Sequence, residues 1–146
     1  MLAHATSVAL KLARGPWRAV LLRGPSGAGK SDLALRLIDR GARLVADDQT
    51  HLARKGRALI ASAPEAIAGR MEVRGLGIVA LRRAQLIGRA PLALIVDLVP
   101  PDRIERMPEP AHEIVEGLSL PVLALAPFEA SAVAKLHLAL MQTGTA

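Results

Sequence analysis

Eight consecutive residues carry the strongest chemical signal in the chain. Gly24-Pro25-Ser26-Gly27-Ala28-Gly29-Lys30-Ser31 follows the pattern G-x-x-x-x-G-K-[ST]. Glycines let a backbone curl until successive N–H groups point at phosphate oxygens, and a helix starting at Ser31 adds the positive end of its dipole. Lys30 is spaced to reach the β and γ phosphates of a nucleoside triphosphate. Ser31 supplies a hydroxyl oxygen for Mg²⁺, an ion that keeps most of its waters and takes few protein groups. The pattern therefore implies a bound Mg-ATP or Mg-GTP. A glycine-rich turn with an exposed lysine would give the same letters, but it would not need the apolar run before them or the helical pattern after them.

Phosphoryl transfer also needs a carboxylate near the loop, either to orient and deprotonate an acceptor or to hold the metal through water. Asp47 and Asp48 end a short apolar run and suit both tasks; the residue types leave the division between them open, and an Asp-Asp pair that only caps a turn is the plain alternative. Residues 71–81, MEVRGLGIVAL, place Glu72 and Arg74 before a Gly75-Leu76-Gly77 bend. They offer a metal ligand and a phosphate-binding arginine, although a β-turn with a charged rim accounts for the segment about as well. Histidines at positions 4, 51, 112 and 137 have no metal-ligand spacing.

These groups work only if regular elements hold them in place. Residues 6–12 and 17–22 are apolar runs separated by Arg14-Gly15-Pro16, which predicts two strands and a turn, the second strand entering the loop. Leu33, Ala34, Leu37 and Ile38 recur at helical spacing over residues 31–40, and Gly41 follows where a helix would stop. Residues 44–46 predict a buried strand, residues 50–53 and 57–61 a hairpin around Lys55-Gly56, and residues 92–99 an apolar strand interrupted only by Asp97. A proline-containing loop runs through Pro110, residues 120–126 predict a further strand, and residues 130–142 a closing helix. The expected fold is α/β: a single P-loop kinase-type domain over residues 1–146, with a mixed sheet flanked by helices.

Composition narrows the partners. The chain is 51% hydrophobic but 1% aromatic, with Trp17 and Phe128 its only large rings, so base stacking on aromatics is not expected. A formal charge of +6 attracts anions in general; with no aromatic platform and with arginines spread along the chain, a nucleic-acid-binding role ranks last. The absence of cysteine removes disulfides and thiolate metal sites and fits a reducing cytoplasm. No segment has the length and apolarity of a membrane span or the layout of a leader, which predicts a soluble, unprocessed protein.

Taken together, GPSGAGKSDLALRLIDRGARLVADD followed by EVRGLGI resembles the catalytic domain of the HPr kinase/phosphorylase family, over residues 24–48 and 72–78. That family uses ATP and Mg²⁺ to phosphorylate a serine of HPr, the phosphocarrier protein of the sugar phosphotransferase system, and many members run the reverse phosphorolysis. The resemblance implies a protein-serine kinase whose partner is HPr or a related phosphocarrier. By position it makes Asp47 the proton acceptor, with Asp48 supporting it beside the metal. It makes Ser31 and Glu72 the Mg²⁺ ligands, Lys30 the phosphate lysine, and residues 72–81 the signature segment. It also makes His4 the catalytic histidine, although the turn over residues 14–17 is a few residues longer here. Arg106, in IERMPEP, takes the place of an arginine that stabilises the transferring phosphoryl group, with Arg103 close enough to compete for that role.

Three departures matter. The chain opens almost at the histidine, as a short catalytic-domain-only version without the family's N-terminal domain would. Residues 123–131, LALAPFEAS, stand where the family has a basic segment used in phosphorolysis, which argues against the reverse reaction. The chain also ends without the C-terminal helical extension through which full-length members engage HPr and one another, so homo-oligomer formation stays open. Two further readings use the same cradle: a nucleotide-binding regulatory module with weak catalysis, and a small-molecule P-loop kinase or ATPase.

Overall fold

A computed structural model of the chain describes residues 1–143. In chain order the elements are β1 (Leu2–Ala3), β2 (Ala5–Lys11), β3 (Trp17–Arg23), α1 (Lys30–Asp39), β4 (Arg43–Ala46), β5 (Thr50–Lys55), β6 (Ala58–Ser62), β7 (Arg70–Val73), β8 (Gly77–Ala80), β9 (Arg89–Leu98), β10 (Ala111–Val115), β11 (Leu118–Leu125) and α2 (Ala132–Thr143). Three short 3₁₀ turns sit between strands.

The sheet is mixed and curled. Its main path runs β1-β5-β6-β9-β3-β2-β4. Strand β9, ten residues long, joins the two halves: residues Arg89, Ala90 and Pro91 pair antiparallel with β6, and residues 95–98 pair parallel with β11. Its other edge pairs parallel with β3. Strand β2 is antiparallel to both β3 and β4. The C-terminal ends of β3, β4, β9 and β11 and the N-terminal end of β2 therefore share one edge. This is where a parallel α/β sheet places its ligands.

Alternation along the strands sorts the apolar residues onto two faces. Val8, Leu10, Val20, Leu22, Leu94 and Val96 pack with Leu33, Leu37, Leu136 and Leu140 of the helices. Ala9, Ala19, Leu21 and Ile95 face the other way, onto Leu52, Leu59 and Ala61 of the β5–β6 hairpin. Both helices thus lie on one face, and the curl of the sheet covers the other. The small alanines on the second face allow β-structure to approach closely.

Helix α1 ends as its sequence predicts. Gly41, at φ 103°, donates to the Ile38 carbonyl (3.0 Å), and the Ala42 N–H reaches back to the Leu37 carbonyl (3.1 Å), a Schellman closure. Two hairpins complete the chain's β-structure. Residues 70–80, around a bend in the sequence pattern, form the β7–β8 hairpin, closed at its base by the bond from the Leu81 N–H to the Gly69 carbonyl (3.0 Å) and packed on the body through the buried Met71. Strand β10, which no apolar pattern announces, exists because the Glu116-Gly117 turn folds it back onto β11. Both turn residues have positive φ, as a two-residue primed hairpin requires.

Leu33 ties α1 to the sheet and has no exposed surface. Leu33→Ala is expected to lower the unfolding free energy by about 3 kcal/mol, read as a lower urea midpoint at unchanged slope.

Candidate active site

The loop of residues 24–29 leaves β3 and enters α1 at Lys30. Gly27 and Gly29 have φ of 82° and 105°. A Cβ at Gly24 would stand 2.8 Å from that of Ala28, and one at Gly29 would meet the Phe128 ring at 2.8 Å. Glycine is thus required twice, by packing at Gly24 and by both backbone and packing at Gly29. The first N–H groups of a helix have no intrahelical acceptor. Among the described residues the N–H groups of Gly27, Gly29, Lys30 and Ser31 have no protein acceptor, which leaves an array of donors suited to phosphate oxygens. The Lys30 ammonium donates to the loop's own Gly24 carbonyl at 2.6 Å, folded over the same concavity.

Asp47 is the hub of the site. It lies at the C-terminal end of β4, is 7% exposed, and accepts three hydrogen bonds. Its Oδ1 takes the hydroxyls of Ser31 (2.8 Å) and Thr6 (3.2 Å), and its Oδ2 takes the Glu72 N–H (2.9 Å). One carboxylate therefore joins the phosphate loop, the start of β2 and the β7–β8 hairpin, three segments up to 41 positions away in sequence. Thr6 also accepts the Asp48 N–H at 3.0 Å. The chain turns sharply here: Asp48 has φ 64°, and the Gln49 N–H bonds the Asp47 carbonyl two residues back at 2.7 Å. Such a turn is strained for a residue with a Cβ, and strain of this kind gathers at functional sites.

Beyond Asp47 lies a cavity of about 220 Å³ whose walls include Asp48, Gln49, Arg70, Glu72 and Ile78. Ser31, Asp47, Asp48 and Glu72 carry hard oxygen donors of the kind Mg²⁺ takes, but among the described residues no three acidic or histidine side chains gather into a metal cluster, and Glu72 meets Asp47 through its backbone N–H. The structure thus brings together the loop, Lys30, Ser31, Asp47, Asp48 and Glu72. It places Ser31 on Asp47, not on Asp48. His4 is exposed two residues before Thr6, at the same edge, and Arg106 is exposed in the segment between β9 and β10. Among the described residues neither makes a hydrogen bond or ion pair.

Two groups escaped the motif reading. Thr6 looked like an ordinary strand residue, and only the pairing of β2 with β4 sets its hydroxyl against Asp47. Arg23, the residue before the loop, forks onto both oxygens of Asp97 (2.7 and 3.0 Å) and both of Glu113 (2.8 and 3.0 Å). Hydrogen bonding to Asp97, then to Glu113, holds the Arg23 guanidinium above its ordinary range and so permanently charged. It locks β3 to β9 and β10 directly beneath Gly24. Asp97 inside an otherwise apolar run was the one sequence signal for this cluster.

The Asp47 hub gives a pair of opposite expectations. Thr6→Val removes a donor to Asp47 and the acceptor of the Asp48 N–H, and should cost about 1–3 kcal/mol in urea unfolding. Asp48→Gly relieves the left-handed backbone and should raise stability by about 1 kcal/mol. Equal and unchanged midpoints for both variants would show that this turn holds no strain and no needed bond.

Comparison with known proteins matches the same regions. The model of the HPr serine kinase C-terminal domain matches residues 17–116, more than half of the chain. The HPr kinase/phosphorylase of Chlorobium phaeobacteroides is 53% identical over 66 residues, 44% of this chain and 20% of that protein. The HPr kinase/phosphorylase of Bordetella pertussis is 42% identical over 97 residues, 61% of this chain and 32% of that protein. This chain therefore aligns with only a fifth to a third of the length of these relatives. The solved structure of the Hpr(Ser) kinase/phosphatase from Coxiella burnetii superposes with a TM-score of 0.81 at 25% identity, covering 97% of this chain and 88% of that one. With the loop, the Asp47 strand and the β7–β8 hairpin all inside the matched region, the chain belongs to the HPr kinase/phosphorylase family, as a form that carries its HPr serine kinase C-terminal domain.

Proposed function

We propose that this chain is an ATP- and Mg²⁺-dependent kinase that phosphorylates a serine hydroxyl of HPr or a related phosphocarrier. The observation that carries the reading is the single buried carboxylate of Asp47, bonded at once to Ser31 of the phosphate loop and to the backbone of Glu72 in the signature hairpin. The names of the matched relatives, HPr kinase/phosphorylase and Hpr(Ser) kinase/phosphatase, supply the acceptor.

In this reading the N–H groups of Gly27, Gly29, Lys30 and Ser31 and the Lys30 ammonium hold the β and γ phosphates, Lys30 exchanging the Gly24 carbonyl for phosphate oxygen. Ser31 and Glu72 would hold Mg²⁺, with Asp48 beside them, and the bound ion would supply positive charge against the phosphates. The acceptor serine enters from the cavity past Glu72 and Ile78, whose exposed rim of Leu76 and Ile78 offers an apolar contact to a protein. Its oxygen forms a bond to the γ phosphorus as the bond to the β-phosphate oxygen breaks, and its proton passes to Asp47. A carboxylate has about four lone-pair positions, so the three bonds Asp47 already accepts leave one for that proton. His4 acts beside Asp47 at the same edge, and Arg106 closes from residues 99–110 onto the phosphoryl charge.

Residues 123–131 contain no cation, and we take the forward transfer as the working direction. The family's partners, a cytoplasmic setting and homo-oligomerisation belong to the same proposal. Among the described residues no helix is long and apolar enough to cross a membrane.

The test is transfer of label from γ-labelled ATP, with Mg²⁺, to purified HPr. Serine labelling is expected, slowed at least about 10²-fold by Asp47→Asn, and phospho-HPr supplied with phosphate or pyrophosphate should not be dephosphorylated. Label that survives Asp47→Asn would overturn the role of Asp47. Tight ATP binding without transfer to any HPr would leave a regulatory module instead.

A further inference from the structure

Strand order divides the site edge into two sides. The loop rises from β3; β2 and β4 lie to one side of it, and β9 and β11 to the other. Ser31, Asp47 and Glu72, the groups that suit the γ-phosphate and its metal, belong to the β2–β4 side. A triphosphate seated with its γ end there and extended across the loop would carry its nucleoside toward the β9–β11 side. The chain that leaves β11 at that point is Pro127-Phe128.

Phe128 is unusual in three respects. It is the only phenylalanine of the chain, yet its side is 69% exposed. It nevertheless rests on the loop, because a Cβ at Gly29 would lie 2.8 and 3.2 Å from two atoms of its ring and 3.2 Å from Pro127. The backbone beneath it is fixed by the Arg36 guanidinium of α1, which donates to the Pro127 carbonyl. The ring is thus held beside the phosphate loop while most of its surface stays open to solvent.

We propose that Phe128, backed by Pro127 and Gly29, is the nucleobase platform of the site, taking the base of a nucleoside triphosphate by stacking. This rests on the reading of residues 24–31 as a nucleotide cradle. Low aromatic content argues against base stacking as a general mode, and in this proposal one ring is the exception. A π-face accepts any purine, and Pro127 and Phe128 offer no polar side-chain atom to read a base edge, so ATP and GTP should bind alike.

The test compares binding of Mg-ATP, Mg-GTP and Mg-tripolyphosphate, a ligand with no base, to the whole chain by titration calorimetry. Phe128→Ala should weaken ATP and GTP about tenfold while tripolyphosphate changes less than about twofold, and Phe128→Leu should fall between. Phe128→Trp, made in a Trp17→Phe background, should keep ATP affinity and lose indole emission on adding ATP but not tripolyphosphate. Equal losses for all three ligands in Phe128→Ala would make the ring a packing element of the loop, and unchanged affinities would place the base elsewhere; either result overturns the proposal. Failure of the unaltered chain to bind ATP or tripolyphosphate would instead overturn the nucleotide reading itself.

Discussion

The burial of the Asp47 carboxylate constrains more of this structure than any other single group. A carboxylate removed from water must be repaid with hydrogen bonds, and the three donors come from three separate segments of the chain. Ser31 brings the first turn of α1, Thr6 brings the start of β2, and the Glu72 N–H brings the β7–β8 hairpin. The pleat of the sheet, the docking of the helix and the position of the hairpin all have to agree before this group is satisfied. The same agreement assembles a phosphate loop, oxygen donors and a cavity within one small volume.

Charge is managed similarly on the other side of the loop. Arg23 carries two carboxylate partners at the foot of the glycine loop, so its one positive charge offsets part of the negative charge that Asp97 and Glu113 bring to the site edge. With side chains 30–42% exposed, the pairs add little to stability by themselves. Their geometric effect is larger: a forked guanidinium fixes β3, β9 and β10 relative to one another where the loop begins. The loop is thereby flanked by the Arg23 ion pairs on one side and by the hydrogen-bonded Asp47 on the other.

The fold also explains how so short a chain builds two faces of core. Strand β9 is long enough to pair with β6 along its first residues and with β11 along its last, so a single sheet curls and covers its own second face. Helices are needed only on the first face, and both cluster near the loop. Phe128 lies at the junction of that helical face with the site edge, which is why one ring can matter in a chain with almost no aromatics.

Residue types and local spacing determined the phosphate loop, the helix after it, its Gly41 stop and the strands that border it, because those features depend on contacts a few positions apart. Asp47 and Glu72 were legible as candidates from their residue types and places in the chain, and His4 and Arg106 only from the family resemblance. Tertiary structure alone decided that Ser31 bonds Asp47, that Thr6 belongs to the site, that residues 70–80 form a hairpin over it, and that Arg23 is clamped by Asp97 and Glu113. It also decided which side of the loop carries Phe128. Each of these depends on strand order and register, and no local sequence period records which strands lie side by side.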